Sequence, residues 1–202
     1  NFLNQSAVGQ KLENDEQLYR IVYEAREGYQ SGYYDLMVTK AGGLLGLGHG
    51  TGKVENLDSG WLQNIVIGVP AFLNGSVPHI ERLQQDVEDG ITKLKERYTP
   101  FDLFTTTLAD AHHRMRAIPP ELYRRLSATL VNRNITREAL EAIKVNDLHR
   151  IGHLITLEHT QLRDGFDLSS DSIEQLIKVS LDAGAYGAKL NGIGGSICVY
   201  AP

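Results

Sequence analysis

One acidic side chain, Asp35, stands where it could take part in catalysis, shortly after the dipeptide Ser31-Gly32. A glycine turn can direct a nearby carboxylate into a cleft, where the carboxylate can accept the proton of a substrate hydroxyl group. The same pattern is typical of a helix N-cap, in which the carboxylate accepts a hydrogen bond from the helix backbone. These residues alone support both interpretations equally.

Glycines dominate a second segment, residues 184–195, near the end of the chain. Because glycine tolerates positive φ and has no Cβ, such a turn lets backbone N–H groups approach a phosphate or a neighbouring loop. Gly192, Gly194 and Gly195 are the positions expected to shape this turn. Glycine-rich turns also join helices to strands in many α/β proteins, so the glycines alone favour a purely structural role.

A third glycine-rich segment, residues 46–53, invites comparison with a phosphate-binding P-loop. The P-loop pattern requires glycine where Leu47 stands, and Ser or Thr where Val54 stands. We therefore expect a flexible hairpin loop here rather than a nucleotide site.

The histidines do not form a convincing metal-binding pattern. His112 and His113 are adjacent, and neighbouring helical residues point about 100° apart, which prevents easy sharing of one ion. His149 and His153 have the spacing of helical zinc ligands, but the glutamate of the zinc-protease pattern is missing between them. We interpret this pair as part of a solvated helix face, and His159 as a packed, hydrogen-bonded residue.

The composition of the chain shows which classes of protein and which kinds of partner it fits. The chain of 202 residues has a net charge of −5, which gives no support for nucleic acid or an anionic membrane as its main partner. The single cysteine, Cys198, excludes an internal disulfide and a cysteine-based zinc cluster, and fits a reducing, cytoplasmic setting. The sequence contains no apolar run of the roughly 18 residues that a membrane span needs.

Hydrophobic periodicity predicts many helices and few strands around these residues. Helices are expected over residues 10–28, 78–97, 102–116, 121–132, 136–144, 147–163 and 173–183. Strands are expected at 64–69, as a buried strand, and at 197–200, with loops and short strands in 31–52. The serine-rich run 169–172 is expected to cap the last helix.

Several of these segments, taken in order, resemble the galactokinases of the GHMP superfamily. Residues 182–195 are similar to the third GHMP motif, a helix followed by a strand and a glycine-rich turn. Residues 28–35 resemble the family's stretch that ends in a catalytic aspartate. Further blocks follow in galactokinase order at 120–125, 147–155, 159, 162–164 and 168–169.

The resemblance implies a reaction and a set of participants. The implied reaction transfers the γ-phosphoryl group of ATP, with Mg²⁺, to a hydroxyl of a hexose, with galactose as the default substrate. In that picture Asp35 is the catalytic base, and Ser31, Gly32 and Tyr34 contact the sugar. The glycines at 192, 194 and 195 would shape the loop beside the sugar and phosphates. Glu24 is the nearest candidate for holding Mg²⁺, although it stands one place from the galactokinase spacing.

Departures from the family pattern keep other functions open. Leu36 stands where glutamine is usual, Asn191 where threonine is usual, and Ser196-Ile197 where two glycines are usual. The departures at Leu36 and Ser196-Ile197 motivate one alternative, a catalytically silent galactokinase homologue that senses sugar and ATP and binds a regulatory protein. A GHMP kinase for mevalonate, a heptose or a uronic acid is a further alternative.

The same resemblance implies an α+β fold with two domains. Residues 1–63 would form the tail of the N-terminal catalytic domain, and residues 64–202 a ferredoxin-like C-terminal domain. The first and second GHMP motifs, which hold the sugar and the triphosphate, do not occur in the 202 residues. We therefore expect the chain to be the C-terminal portion of a longer enzyme and to be inactive alone, with the missing segment preceding it or arriving on another chain.

Overall fold

The computed structural model describes residues 42–48, 53–57, 60–70, 80–192 and 194–202. The chain divides into two compact units, Asn1–Ser59 and Gly60–Pro202. The helix expected over residues 10–28 lies outside the described residues. The proposed domain boundary between residues 63 and 64 stays a prediction.

In the first unit, two short strands pair in an antiparallel ladder. Strand β1, Leu44–Gly48, lies beside β2, Lys53–Leu57, with Leu44 opposite Leu57 and Gly48 opposite Lys53. A P-loop passes from a strand into a helix, whereas this glycine-rich segment passes from one strand into the next. The arrangement agrees with the hairpin expected from the sequence.

The second unit contains a three-stranded antiparallel sheet in the order β3-β5-β4. The strands are β3, Ile65–Gly68, β4, Gly187–Asn191, and β5, Ser196–Tyr200. The strand expected at 64–69 is present, but the expectation that it is buried is wrong. It is an edge strand, in which Val66 is 55% exposed and Ile67 54% exposed. The central position belongs to β5, which comes last in the sequence.

Five α-helices are described in the second unit. They are α1 Ile80–Lys95, α2 Leu108–Met115, α3 Pro120–Lys144, α4 Leu148–Thr160 and α5 Asp171–Asp182. A single π-helical turn, Gln161–Gly165, extends α4. With the antiparallel sheets, these helices make the fold α+β, as the sequence predicted.

Helix α3 is continuous, whereas the sequence suggested a break between residues 132 and 136. This run has low helix propensity, which favoured the break. In the structure Ile135 is buried, and the Arg133 guanidinium donates a hydrogen bond of 2.6 Å to the Leu103 carbonyl oxygen. Packing against another part of the chain therefore outweighs the local preference.

Helix α2 begins later than residue 102, where the sequence placed its start. The Asp102 carboxylate accepts hydrogen bonds from the backbone N–H groups of Phe104 and Thr105, at 2.9 and 2.8 Å. Such local side-chain bonds offer the backbone an alternative to the helix. Thr107 instead supplies the N-cap, since its hydroxyl accepts from the Asp110 N–H at 3.1 Å.

The buried side chains of the second unit form separate clusters. One joins α1, α2 and α3 and contains Leu94, Phe101, Ala111, Met115, Ile118, Leu126 and Leu130. Another packs α5 against one face of the sheet through Ile173, Ile177, Ala188, Leu190, Ile197 and Val199. A third gathers Tyr200 with Ile135, Ala142, Ile151 and Leu154 of α3 and α4. Across the described part of the chain, no helix combines the length and apolar character that crossing a membrane requires.

Candidate functional site

The glycine turn between β4 and β5 has the backbone conformation that its sequence requires. The φ angles are +58° at Gly192, +125° at Gly194 and +90° at Gly195. An added Cβ at Gly192 or Gly194 would meet no atom within 4 Å, so the requirement for glycine is conformational rather than steric. Both of these glycines are exposed, so the turn presents its backbone to solvent.

The ends of the turn are joined by side chains at two of the departures from the family pattern. The Asn191 side-chain amide donates a hydrogen bond of 3.3 Å to the Ser196 hydroxyl oxygen. The Gly194 N–H donates to the Asn191 carbonyl oxygen at the same distance. Ile197, the next residue, is buried in the core beneath the sheet. These residues therefore have structural roles in closing and seating the turn.

The other predicted site residues lie outside the described residues. These are the candidate base Asp35, the candidate sugar-binding residues Ser31, Gly32 and Tyr34, and the candidate metal ligand Glu24. Their roles and their distance from the glycine turn stay predictions. Among the described residues, no group of three His, Cys, Asp or Glu side chains could hold a metal ion.

Helix α4 lies along the outer edge of β4, the strand that leads into the glycine turn. The Ala188 N–H donates to the Thr156 hydroxyl at 3.2 Å, and the Leu190 N–H donates to Nδ1 of His159, also at 3.2 Å. Edge strands otherwise expose such groups to solvent or to other chains. Side chains of α4 thus provide acceptors for two backbone N–H groups of this edge.

Two glycines permit this close contact between helix and strand. A Cβ added at Gly187 would lie 1.9 Å from the Gly152 carbonyl oxygen, and one added at Gly152 would lie 2.4 Å from Tyr186. Both distances are far below a van der Waals contact. Any side chain at either position would force α4 away from β4 and would break the hydrogen bonds to Thr156 and His159.

His159 links the strand to a polar network that reaches the surface through Glu174 and Arg163. Its side chain is almost fully buried, and Nε2 lies 2.8 Å from Oε1 of Glu174 on α5. The same carboxylate accepts from the Ser169 hydroxyl at 2.5 Å and from Arg163 at 3.2 Å. The expectation that His159 is a packed, hydrogen-bonded residue is therefore confirmed.

The hydrogen bonds to Glu174 outweigh the effect of its burial. Desolvation by itself raises the pKa of this carboxyl group, whereas the bonds from Ser169, His159 and Arg163 lower it. The net result is a pKa below the usual 4.5, so the carboxylate is ionised at neutral pH. An ionised carboxylate only accepts hydrogen bonds, which suits the three donors around it.

The expected capping of α5 is partly wrong. Ser170 occupies the N-cap position, but its side chain makes no capping hydrogen bond. The neighbouring Ser169 hydroxyl points to Glu174 in the first turn of the helix instead. The serine-rich run therefore serves the network around His159 rather than the helix terminus.

The π-helical turn after α4 is fastened to α3 by ion pairs. Asp167 accepts from Arg124 at 2.6 Å and from Arg125 at 2.9 Å, and Arg125 also donates to the Gly165 carbonyl oxygen. The hydrogen bond from Arg124, supported by Arg125, lowers the pKa of Asp167 to about 2. These contacts fix the segment that carries Arg163 to the network.

Cys198 on the central strand has the properties of an unreactive thiol. Burial raises its pKa, and the nearby charge of Lys189 opposes this only in part. The Lys189 ammonium is itself paired with Glu158 at 2.7 Å. Because nucleophilic chemistry needs the thiolate, a raised pKa argues against a catalytic role.

Sequence reasoning missed Thr156 and Glu174 as residues that support the turn. Neither has a local signal, since threonine and glutamate are ordinary on amphipathic helices. The regular placement of Thr156 and His159 on one side of α4 could have indicated a polar contact, but not which strand they meet.

Comparison with known protein sequences finds relatives for parts of the chain. Residues 139–202 match the family model described as GHMP kinases C terminal. A galactokinase of Pyrococcus furiosus is 30% identical over 76 residues, which cover 37% of this chain and 22% of that protein. A galactokinase of Chloroflexus aggregans is 31% identical over 94 residues, which cover 46% of this chain and 23% of that protein.

Solved structures show the same fold. Lactococcus lactis galactokinase, crystallised with galactose, matches with a TM-score of 0.79 and 18% identity over 98% of this chain. The mevalonate kinase of L. major, in complex with R-mevalonate, matches with a TM-score of 0.54 and 20% identity over 93% of this chain. The chain spans 54% and 50% of these two proteins. Residues 139–202 are thus similar to the C-terminal domain of GHMP kinases, the sequence relatives of the chain are galactokinases, and its fold is that of a galactokinase structure.

Proposed function

We propose that the chain is part of an enzyme that transfers the γ-phosphoryl group of ATP to a sugar hydroxyl, with galactose as the first substrate to test. The observation that carries this proposal is the exposed glycine turn, with three positive-φ glycines, in a domain of the GHMP kinase family. A turn of this kind brings backbone N–H groups close to phosphate oxygens without a steric clash. The similar galactokinase of Lactococcus lactis was crystallised with galactose, which supports the choice of sugar.

In the proposed reaction, Asp35 is the base. Its carboxylate accepts the proton of the attacking sugar hydroxyl while the hydroxyl oxygen forms a bond to the γ-phosphorus and the bond to the β-phosphate oxygen breaks. Ser31, Gly32 and Tyr34 are proposed to hold the sugar, and the glycines 192, 194 and 195 to border the sugar and phosphates. Mg²⁺ would neutralise phosphate charge, with Glu24 as its candidate ligand. The residues that hold the triphosphate are proposed to lie in a further segment of the protein, and the location is proposed to be cytoplasmic.

The decisive experiment uses the full-length gene product, assayed for ADP formation with ATP and a panel of sugars, mevalonate, a heptose and a uronic acid. We expect turnover with galactose, and a loss of several powers of ten in kcat for Asp35→Asn with an unchanged circular dichroism spectrum. Near-normal turnover of this variant would remove Asp35 from the mechanism. Turnover with another member of the panel alone would correct the substrate.

A second candidate function is a sugar and ATP sensor without kinase activity, which binds a regulatory protein. The departures from the family pattern at Leu36 and Ser196-Ile197 motivate it, and in the structure Ser196 accepts a hydrogen bond from Asn191 that joins the two ends of the turn. Calorimetric titration with galactose and ATP would distinguish the two functions. Binding of both ligands without ADP formation would support the sensor.

A further inference from the structure

We infer that His159 is a positioning residue that holds β4, and with it the glycine turn, in register against α5 through its neutral Nε2–H tautomer. The inference rests on the proposed function for its catalytic consequence, but its structural content stands by itself. His159 acts on the turn only through Leu190, which lies two residues before Gly192.

The two partners of the imidazole define its protonation. A backbone N–H can only donate, so Nδ1 must accept from Leu190 and carries no proton. The Glu174 carboxylate is ionised and can only accept, so Nε2 must carry the proton. The ring is therefore neutral, and both of its nitrogen atoms are used.

The network gives the ring a single position. Burial leaves only 2% of the residue exposed, and Glu174 is itself held by Ser169 from the segment before α5 and by Arg163 from the π-helical turn. Because the buried member, His159, has a matching partner at each ring nitrogen, the network favours one arrangement of its elements. The strand is thus tied to α4 directly and to α5 through one side chain.

The hydrogen bond between His159 and Leu190 lies close to the glycine turn. Leu190 is the penultimate residue of β4 and is itself fully buried against α5. The turn is exposed and joins β4 to β5, so within the described residues its orientation depends on how these two strands are fixed. Losing the bond at Leu190 would free the entry to the turn while leaving the glycines unchanged.

Two isosteric substitutions separate the two bonds of the ring. In His159→Asn, the amide oxygen can occupy the place of Nδ1 and can still accept from Leu190, whereas the link to Glu174 is lost. In His159→Gln, the amide nitrogen can occupy the place of Nε2 and can still donate to Glu174, whereas the acceptor for Leu190 is lost. His153→Asn is the matched control, since His153 is exposed on the same helix.

The test uses nuclear magnetic resonance on the full-length protein. We expect ring nitrogen shifts that show an unprotonated Nδ1 and a protonated Nε2. We also expect hydrogen exchange at the Leu190 amide to accelerate about tenfold in His159→Gln, and to stay near the wild-type rate in His159→Asn and His153→Asn. A protonated Nδ1, or an unchanged Leu190 exchange rate in His159→Gln, would overturn the inference. If His159→Gln does not fold, the ring tautomer of the wild-type protein decides.

Kinetics on the same variants connects the positioning to the proposed reaction. We expect kcat/KM for ATP to fall severalfold in His159→Gln and to stay near the wild-type value in His159→Asn. An equal loss in both variants would contradict a role through Leu190. Absence of turnover in the wild-type protein would defeat the proposed function alone, because the nuclear magnetic resonance measurements test the positioning without any substrate.

Discussion

The two edges of the three-stranded sheet are built differently, although both are short strands with apolar residues. On the β4 edge, side chains of α4 accept hydrogen bonds from two backbone N–H groups, and glycines bring the helix into contact. On the β3 edge, within the described residues, the strand pairs with β5 alone and leaves Val66 and Ile67 more than half exposed. The strand that leads into the glycine turn is therefore the one that is supported from both sides.

The largest expected effect comes from adding a methyl group at each edge. Gly187→Ala places a Cβ against the Gly152 backbone, so we expect a loss of about 3 kcal/mol or more in the free energy of unfolding. In Gly68→Ala the new Cβ meets the Ile197 side chain at 2.9 Å, and a side chain adjusts more readily than backbone, so about 1 kcal/mol is expected. Urea unfolding of both variants measures the difference, and equal losses would show that the edges are equivalent.

Shortening an apolar side chain at each edge should give the next largest difference in stability between the two edges. Leu190→Ala truncates a fully buried side chain of β4, and we expect the free energy of unfolding to fall by about 3 kcal/mol. Val66→Ala removes atoms that are already half in water, so a loss below about 1 kcal/mol is expected. Thermal and urea unfolding would check both values. A larger loss for Val66→Ala would mean that the β3 edge is covered in solution.

Removal of a single acceptor from α4 should have a smaller effect. Thr156→Val preserves the shape of the side chain but leaves the Ala188 N–H without its acceptor, and we expect a loss of about 1–2 kcal/mol. Hydrogen exchange at Ala188 should accelerate accordingly. Thr160→Val is the control, because its hydroxyl donates only to a carbonyl within the helix, and it should leave Ala188 unchanged.

Of the four predicted effects, the destabilisation of the β4 edge by acid should be the smallest. The folded pKa of Glu174 lies below its usual 4.5, so its contribution to stability is present above about pH 4.5 and is lost as pH falls through the folded value. The Leu190 amide resonance should follow this titration below about pH 4.5, whereas the Val66 amide resonance should not. The transition should disappear in Glu174→Gln, and its persistence there would assign it to another group.

Much of the helical structure was predictable because its signals are local. Apolar residues at helical spacing placed α1 and α5 correctly, and Pro120 marked the start of α3. The errors occurred where distant contacts overrode local preference, as with the bond from Arg133 to Leu103 that accompanies the continuous α3. The strand at 64–69 was recognised, but an apolar run has the same appearance in a central strand and in an edge strand.

By itself, the sequence determined where the glycine turn lies, because a positive φ is a property of single residues and glycine adopts it without strain. It also supplied candidates for the chemistry, Asp35 first among them, and these stay predictions. Only the tertiary structure decided that α4 covers β4, because the bond between His159 and Leu190 joins residues 31 positions apart. Such a contact depends on how the helix packs against the sheet, and neither residue type indicates which residue it will contact.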